Sequence, residues 1–325
     1  MGTSRSRRLR ITAVGCMTWD TFFVLDRPIQ TGSYAIVQKQ AELPGGTTAN
    51  VCVALHQLGC TVRLASVVGD DDAGTRLRED WRQRGLADDW ISTRPSTPSD
   101  RCLVLITPGE LGPERTIVWT PGARPRYGDP LPVTELFDSD ALIVDVDDER
   151  LRQFLVDLPQ HIAPRSRLVG LVTSLLSCSP ARALRLGLQH DVLIGNEHEF
   201  CQLTGTETVD QAIACMQAQM SLWGMRIGAI SQGSRGCTLF TTQQVVRVPG
   251  FTIEPVDVTG TGDAFAAGVI YGIVHHWELE RIGQFANAVG ALATRSIGAQ
   301  TSLPTLQEVE TFLQKHDIVQ HSTAS

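Results

Sequence analysis

Short apolar segments rich in β-branched residues alternate with segments of helical spacing along most of this sequence, and that alternation limits the folds open to it. An apolar run at residues 11–14 ends at a glycine, and helical spacing over 48–58 and 73–84 encloses a second apolar run at 62–68. Strands that alternate with helices form a mainly parallel sheet covered on both faces. The sequence therefore predicts an α/β fold. The pattern continues in apolar runs at 141–146, 167–172, 192–194 and 227–231 and in helical segments at 150–158, 180–188 and 209–223.

Two further segments break this order. Residues 34–43 alternate polar and apolar side chains, and residues 101–118 do so around a turn-rich Pro-Gly-Glu-Leu-Gly-Pro stretch. A period of two is typical of strands, so we expect a strand and a hairpin outside the main sheet. The sequence has no fixed-period repeat and no Pro/Gly-rich linker, which favours one domain over residues 10–315. We expect residues 1–9 and 316–325 to be disordered tails.

Composition excludes several classes of partner. A net charge of -7 provides no basic field for a polyanion, so we expect no nucleic-acid partner. No run approaches the ~18 apolar residues that span a bilayer, so we expect no membrane partner. The eight cysteines are scattered, without a C-x-x-C pair or zinc-ligand spacing, which indicates reduced thiols in a cytoplasmic protein.

A glycine-rich turn lies in the carboxyl-terminal third of the chain. Residues 257–263 read Asp-Val-Thr-Gly-Thr-Gly-Asp and join an extended run ending at residue 256 to a helical stretch at 264–273. Gly260 and Gly262 let the backbone turn sharply, and the following helix adds the positive end of its dipole, which favours an anion. A carboxylate beside an anion site costs Coulomb energy, so Asp263 suggests a proton acceptor for phosphoryl transfer.

Two other interpretations of this turn stay open on the residues alone. Asp263 can simply cap the helix, with the glycines forming a tight turn. The turn can also be part of a dinucleotide-binding fingerprint, although it lacks the third glycine and the acidic residue that this motif has ~20 residues further on.

Other motifs occur in a fixed order around this turn. Residues 45–50 read Gly-Gly-Thr-Thr-Ala-Asn, residues 68–71 Val-Gly-Asp-Asp, and residues 196–199 Asn-Glu-His-Glu. Residues 231–236 read Ser-Gln-Gly-Ser-Arg-Gly, and residues 298–304 Gly-Ala-Gln-Thr-Ser-Leu-Pro. In order and spacing, from about residue 10 to 315, the chain resembles the ribokinase-like (PfkB) carbohydrate kinases. The resemblance implies a three-layer α/β/α domain with a small β-strand lid, and transfer of the γ-phosphoryl group of ATP to an alcohol group.

The resemblance also implies roles for individual residues. Asp263 would take the proton of the acceptor hydroxyl, and the backbone amides of Gly260, Thr261 and Gly262 would hold the transferring phosphoryl group. Asn196 and Glu199 would lie near the phosphates, with Glu199 placing Mg²⁺ through water. The remaining nucleotide-binding residues would be Ser231, Gly233, Ser234, Gly236 and Asn287.

The acceptor side follows from the same resemblance. Asp20, just beyond the first predicted strand, and Asn50 would hydrogen-bond the hydroxyls of the acceptor, beside Gly45, Gly46 and Thr47. The segments at about 33–44 and 100–120 would form the lid and a homodimer contact. Some family members bind a monovalent cation such as K⁺, although Asp257 can equally be a turn residue here. The candidate ligands of that cation are Asp257, Thr259, Ala293, Ser296, Gly298 and Ser302.

The identity of the acceptor stays open. An unphosphorylated sugar is the first interpretation, a nucleoside the second and a sugar phosphate the third. Residues 171–176 read Leu-Val-Thr-Ser-Leu-Leu where many relatives place an aspartate, which puts an acceptor contact from that strand in doubt. A non-catalytic sugar-binding or regulatory protein with the kinase fold is the alternative from another class.

Overall fold

A computed structural model describes residues 8–109, 112–161 and 165–316. Most of the two expected tails, residues 1–7 and 317–325, lies outside the described residues. The predicted α/β alternation is confirmed: a large sheet lies between two layers of helices, and a smaller sheet lies at its edge.

The large sheet has nine strands in the order β13-β12-β11-β10-β9-β8-β1-β4-β5. Strands β11, β12 and β13 pair antiparallel and the other neighbours pair parallel. The strands are β1 (Arg10–Gly15), β4 (Thr61–Gly69), β5 (Ile91–Arg94), β8 (Ala141–Asp145), β9 (Arg167–Leu171), β10 (Val192–Asn196), β11 (Ile227–Ser231), β12 (Cys237–Phe240) and β13 (Val245–Val248).

The helices cover both faces of this sheet, each over its own buried apolar cluster. One face carries α1 (Thr47–Gln57), α2 (Asp72–Gln83), α9 (Thr261–Val274), α10 (Leu279–Ala293) and α11 (Leu306–Lys315). The other carries α3 (Val133–Phe137), α4 (Glu149–Asp157), α5 (Val172–Leu175), α6 (Pro180–Leu188), α7 (Glu197–Thr204) and α8 (Val209–Trp223). Among the described residues, no helix has the length and apolar composition needed to cross a membrane.

Helix α9 is apolar all round because it lies in the middle of its layer. Residues 264–274 are all buried, and a side chain at Gly268 would come within 2.6 Å of the Ala286 Cα of α10. A helix enclosed on every side is held rigidly by close packing. The residues at its N-terminus are therefore fixed in place.

The small sheet has four strands in the order β3-β2-β6-β7, namely β2 (Thr18–Leu25), β3 (Val37–Gly45), β6 (Arg101–Gly109) and β7 (Gly112–Thr120). It contains the predicted strand and hairpin, and it adds β2, which the sequence analysis missed. Asp20 therefore lies inside a strand of the small sheet rather than in a turn after β1. The extended run expected before residue 257 is also not a strand, since β13 ends at Val248.

Candidate active site

The carboxyl ends of five parallel strands define the floor of the site, namely β1, β8, β9, β10 and β11. Gly15 of β1 is in register with Asp145 of β8, and Asn196 of β10 with Ser231 of β11. In open α/β sheets this edge is where ligands bind. Polar side chains from distant parts of the sequence therefore meet above it.

The glycine-rich turn lies over this edge and begins α9. Gly260 has a left-handed backbone (φ 76°), and a side chain there would come within 2.6 Å of the Ala299 Cβ. Thr261, Gly262 and Asp263 form the first turn of α9, where backbone N–H groups and the helix dipole favour an anion. The Thr261 N–H already donates to the Val258 carbonyl at 3.3 Å, whereas nothing lies within 4 Å of a side chain placed at Gly262.

Asp263 is held by a chain of two hydrogen bonds from distant segments. Asn50 Nδ2 donates to Asp263 Oδ2 at 2.7 Å, and Gln300 Nε2 donates to Asn50 Oδ1 at 2.8 Å. Burial raises the pKa of Asp263 to about 7, and the bond from Asn50 opposes that rise. A carboxylate that titrates near neutral pH, with its orientation fixed, is suited to accept a proton.

A cavity of about 460 Å³ opens on the Asp263 side of the turn. Its lining includes Asp20, Gly46, Thr47 and Asn50 of the predicted substrate residues. Gly45 lies behind Asp20, and a side chain at 45 would come within 2.0 Å of Asp20 Oδ2. Burial raises the pKa of Asp20 to about 6. We name this space the acceptor cavity.

The acceptor cavity also contains charged residues outside the predicted set of site residues. Asp145 is buried and accepts a hydrogen bond from Thr48 Oγ1 at 2.7 Å, and Asp147 follows it at the rim. Arg124 donates to Asp147 and to the buried Asp100. Aspartates after a predicted strand were the available signal for Asp145 and Asp147, but the pairing of Asp147 with Arg124 depends on tertiary contacts.

A second cavity of about 610 Å³ lies on the other side of the turn. It is lined by the predicted residues Asn196, Ser231, Gly233, Ser234, Gly236 and Asn287, and by an apolar wall that the sequence analysis missed, formed by Phe251, Ile253, Pro255, Val258, Ala286 and Ala291. Several apolar residues outside any strand, at 251–258, were the available signal. We name this space the nucleotide cavity.

The two cavities adjoin at the N-terminus of α9. Gly262, Arg115, Asn196, Ser231 and Phe265 line both. The Arg115 guanidinium, on β7 of the small sheet, donates to the Val258 carbonyl and so reaches across the site to the turn. A molecule in each cavity would therefore meet at Gly262, beside Asp263.

Asn196 and Glu199 form a reciprocal cap at the start of α7. Glu199 N–H donates to Asn196 Oδ1 at 2.9 Å, and Asn196 N–H donates to Glu199 Oε2 at 2.8 Å. Thr173 Oγ1 donates to Glu199 Oε1 at 2.5 Å, so the segment after β9 contributes to the site through a threonine. The Glu199 carboxylate faces the acceptor cavity with each oxygen keeping a free lone pair. That arrangement fits a water-bridged Mg²⁺ but is too sparse to be a direct protein cage.

Five of the six candidate cation ligands line neither cavity, and the sixth, Thr259, lines the acceptor cavity. Asp257 is buried and accepts from Thr259 N and Oγ1 at 2.8 and 2.7 Å and from Gly298 N at 2.8 Å. Ser302 Oγ donates to the Ala293 carbonyl at 2.7 Å, and Ser296 lies between the end of α10 and Gly298. Asp257 thus fixes the turn to the segment that contains Gly298.

Asn287 has a second role. It is buried on α10, and its Nδ2 donates to the carbonyls of Val248 and Pro249 at 3.3 and 3.1 Å. These bonds position the chain that enters the apolar wall of the nucleotide cavity.

Comparisons with known proteins agree with this geometry. The model of the pfkB family carbohydrate kinases matches residues 10–306. A ribokinase from Bacillus subtilis (strain 168) is 27% identical over 310 residues, which cover 93% of this chain and 99% of that protein. An ATP-dependent ribose-1-phosphate kinase from Halopiger xanaduensis is 29% identical over 316 residues, which cover 94% of this chain and 99% of that protein. The structure of Arabidopsis thaliana ribokinase complexed with ribose and ATP matches with a TM-score of 0.78 at 20% identity, covering 95% of this chain and 99% of that one. Because the family match spans nearly all of the described fold and both cavities, this chain belongs to the pfkB family of carbohydrate kinases.

Proposed function

We propose that this protein transfers the γ-phosphoryl group of ATP to a hydroxyl group of a sugar or nucleoside. The observation that carries the proposal is the junction of two cavities at the N-terminus of α9, with Asp263 on the acceptor side and the unobstructed Gly262 between them. The family supports the reaction class. The two curated relatives support a ribose-type acceptor, but one is named for ribose and the other for ribose 1-phosphate.

In the proposed reaction the acceptor hydroxyl lies against Asp263. Its oxygen forms a bond to the γ-phosphorus, the bond from that phosphorus to the β–γ bridging oxygen breaks, and ADP leaves. The hydroxyl proton passes to the Asp263 carboxylate, which Asn50 holds in position. Negative charge on the transferring group faces the backbone at Gly262, the positive end of α9 and the Arg115 guanidinium.

We propose that Asn196 and Glu199 hold Mg²⁺ through water. The ion would neutralise charge on the ATP phosphates. The residues themselves keep the rim between the cavities rigid, since each caps the other.

A monovalent cation is a separate proposal. The Asp257 carboxylate is buried, and its three hydrogen-bond donors in the described part of the chain are neutral groups. Buried carboxylates usually have a cationic partner. A K⁺ ion held by Asp257 and neighbouring carbonyl groups would supply one.

We also propose that the small sheet is a lid and the contact surface of a homodimer. Large apolar residues in this sheet, or directly before β3, are 44 to 51% exposed, namely Ile36, Val37, Ile117 and Val118. A lid over the acceptor would exclude water and so limit ATP hydrolysis. The eight free cysteines support a cytoplasmic location.

The test is ATP consumption against a panel of sugars and nucleosides, with wild-type protein and Asp263→Asn. Removing a general base typically lowers kcat by 10²–10⁴-fold, so the variant should lose at least ~100-fold with the preferred acceptor. Asp89→Asn, an exposed carboxylate paired with Arg63, is the matched control and should keep full activity.

Two results would contradict the kinase assignment. One is the absence of turnover with every acceptor, and the other is an Asp263→Asn variant as active as wild type. A non-catalytic sugar-binding protein would instead show thermal stabilisation by a sugar that does not depend on ATP.

A further inference from the structure

The acceptor cavity carries more negative than positive groups. Arg115 and Arg124 are the cationic side chains among the described residues of its lining. The carboxylates of that lining are Asp20, Asp145, Asp147, Glu199 and Asp263. The charge available to an acceptor depends on how the two arginines are engaged.

Arg124 is already balanced by two carboxylates. Its Nε donates to Asp100 and its Nη1 to Asp147. Asp100 is fully buried and is fixed further by Trp119 Nε1 at 2.8 Å and by the Gly122 N–H at 2.9 Å. The guanidinium lies over the Trp119 ring at 4.2 Å and has an exposed side-chain fraction of 22%. One cation held between two carboxylates leaves no net positive charge for a ligand.

Arg115 lies at the junction with the nucleotide cavity. Its guanidinium donates to the Val258 carbonyl at the base of the turn, and Arg115 lines both cavities. At this junction it would face the phosphates of a bound nucleotide. Arg101, also on the small sheet, pairs with Asp71 at 3.0 Å and is not part of the cavity lining.

Asp20, in the wall of the acceptor cavity, has a carboxylate oxygen without a hydrogen-bond donor among the described residues. The residue is 6% exposed, and its Oδ1 atom has no hydrogen-bond partner in the described part of the protein. An unsatisfied buried acceptor is costly, and a hydroxyl donor from a ligand would remove that cost. A phosphate or carboxylate group offers no such donor near neutral pH and would be repelled by the neighbouring carboxylates.

We propose that the acceptor cavity selects an uncharged polyhydroxyl compound and rejects compounds that already carry a phosphate or carboxylate group, with Asp100, Arg124 and Asp147 as the specificity-determining group. This inference rests on the proposed kinase function and specifies its acceptor class. Arg124 acts by neutralising Asp147 and by filling the wall beside Trp119, so that hydroxyl groups meet a rigid, polar surface.

The test compares matched acceptors in an ADP-release assay. Ribose is compared with ribose 1-phosphate and ribose 5-phosphate, fructose with fructose 6-phosphate, and glucose with gluconate. For the best of the three series, kcat/KM for the neutral compound should exceed that for its anionic partners by at least ~100-fold, which corresponds to about 2.7 kcal/mol.

One substitution tests the role of the charge group. Asp147→Asn removes one of the two carboxylates that balance Arg124, so the ratio of kcat/KM for phosphorylated over neutral acceptors should rise at least ~10-fold. Asp72→Asn, an exposed carboxylate on α2, is the matched control and should leave that ratio unchanged.

Each outcome separates the inference from the kinase assignment. A wild-type preference for a phosphorylated or carboxylated acceptor overturns the inference and leaves the kinase function standing. An unchanged ratio in Asp147→Asn overturns the role of the charge group. If no acceptor is phosphorylated, the kinase function fails, and thermal shifts with ribose and ribose 5-phosphate then test the charge selection directly: stabilisation by ribose alone supports it, and stabilisation by ribose 5-phosphate overturns it.

Discussion

Gly262→Ala is a change that should abolish catalysis without harming the fold. Gly262 is in the first turn of α9, and nothing lies within 4 Å of a side chain placed there. Its backbone is not in the left-handed region, so alanine fits without strain. The added methyl group would instead project into the junction where the two cavities meet.

The expected magnitudes have opposite directions for stability and activity. Alanine is favoured over glycine in helices by about 0.5–1 kcal/mol, so the melting temperature should stay the same or rise slightly. Loss of one preorganised donor to a developing anion typically costs 10²–10³-fold in kcat. Because the methyl group would displace the phosphoryl group from the turn, we expect a loss at the upper end of that range.

The assay pairs thermal unfolding with steady-state kinetics, and Gly260→Ala is the contrasting variant. Gly260 has φ 76°, and its side chain would come within 2.6 Å of Ala299. This variant should lose about 1–3 kcal/mol of stability as well as activity. The reasoning is refuted if Gly262→Ala keeps kcat within a few-fold of wild type, or if it is destabilised as much as Gly260→Ala.

Three further predictions concern the charged groups of the site. Since Asp263 must be ionised to accept a proton and its pKa is raised to about 7, kcat/KM should fall as pH drops below about 7. The hydrogen bond from Asn50 lowers this pKa, so its loss in Asn50→Ala should raise the pKa and move the fall in kcat/KM to higher pH. A fall near pH 4 in a pH–rate profile would contradict the assignment. Between about pH 4 and 7, Asp263 in the folded protein keeps a proton that the unfolded chain has already released. Its contribution to the stability of the fold is therefore lost as pH rises through 7. Asp263→Asn should accordingly raise the melting temperature more at pH 8 than at pH 5. If Asp257 holds K⁺, replacing K⁺ with tetramethylammonium should lower kcat several-fold, whereas equal rates in the two salts would show that Asp257 only fixes the turn.

The sequence predicts the layers of this fold well because each strand and helix carries its own periodicity. The apolar runs at 141–146 and 192–194 correspond to β8 and β10, and the helical stretch after the turn corresponds to α9. The glycines at 260 and 262 signal the turn itself. These features depend on local backbone preference and on which face is apolar, and both are present in short windows of sequence.

The contacts that define the site depend on residues far apart in the chain. Asn50 and Asp263 are 213 positions apart, and Asn50 and Gln300 are 250 apart. Strand β2, with Trp19 and Asp20, has weak alternation and was missed, although its pairing with β3 and β6 places the Asp20 carboxylate in the acceptor cavity. No local pattern encodes such pairings, so only a family resemblance could assign Asp20 and Asn50 to a binding site.

The burial of Asp263 lowers the stability of the fold, and the packing of α9 offsets that loss. Burying a carboxyl group raises its pKa and disfavours the charged form, which destabilises the folded protein near neutral pH. Helix α9 offsets this cost, because eleven consecutive residues from 264 to 274 are buried against α1 and α10. Packing of that helix thus lets the protein keep the Asp263 carboxyl group in a partly dehydrated position, where its orientation is fixed. In the proposed charge selection, Asp20 on β2 and Arg124 just after β7 determine the acceptor, so we expect substitutions there to change substrate preference with little effect on Asp263.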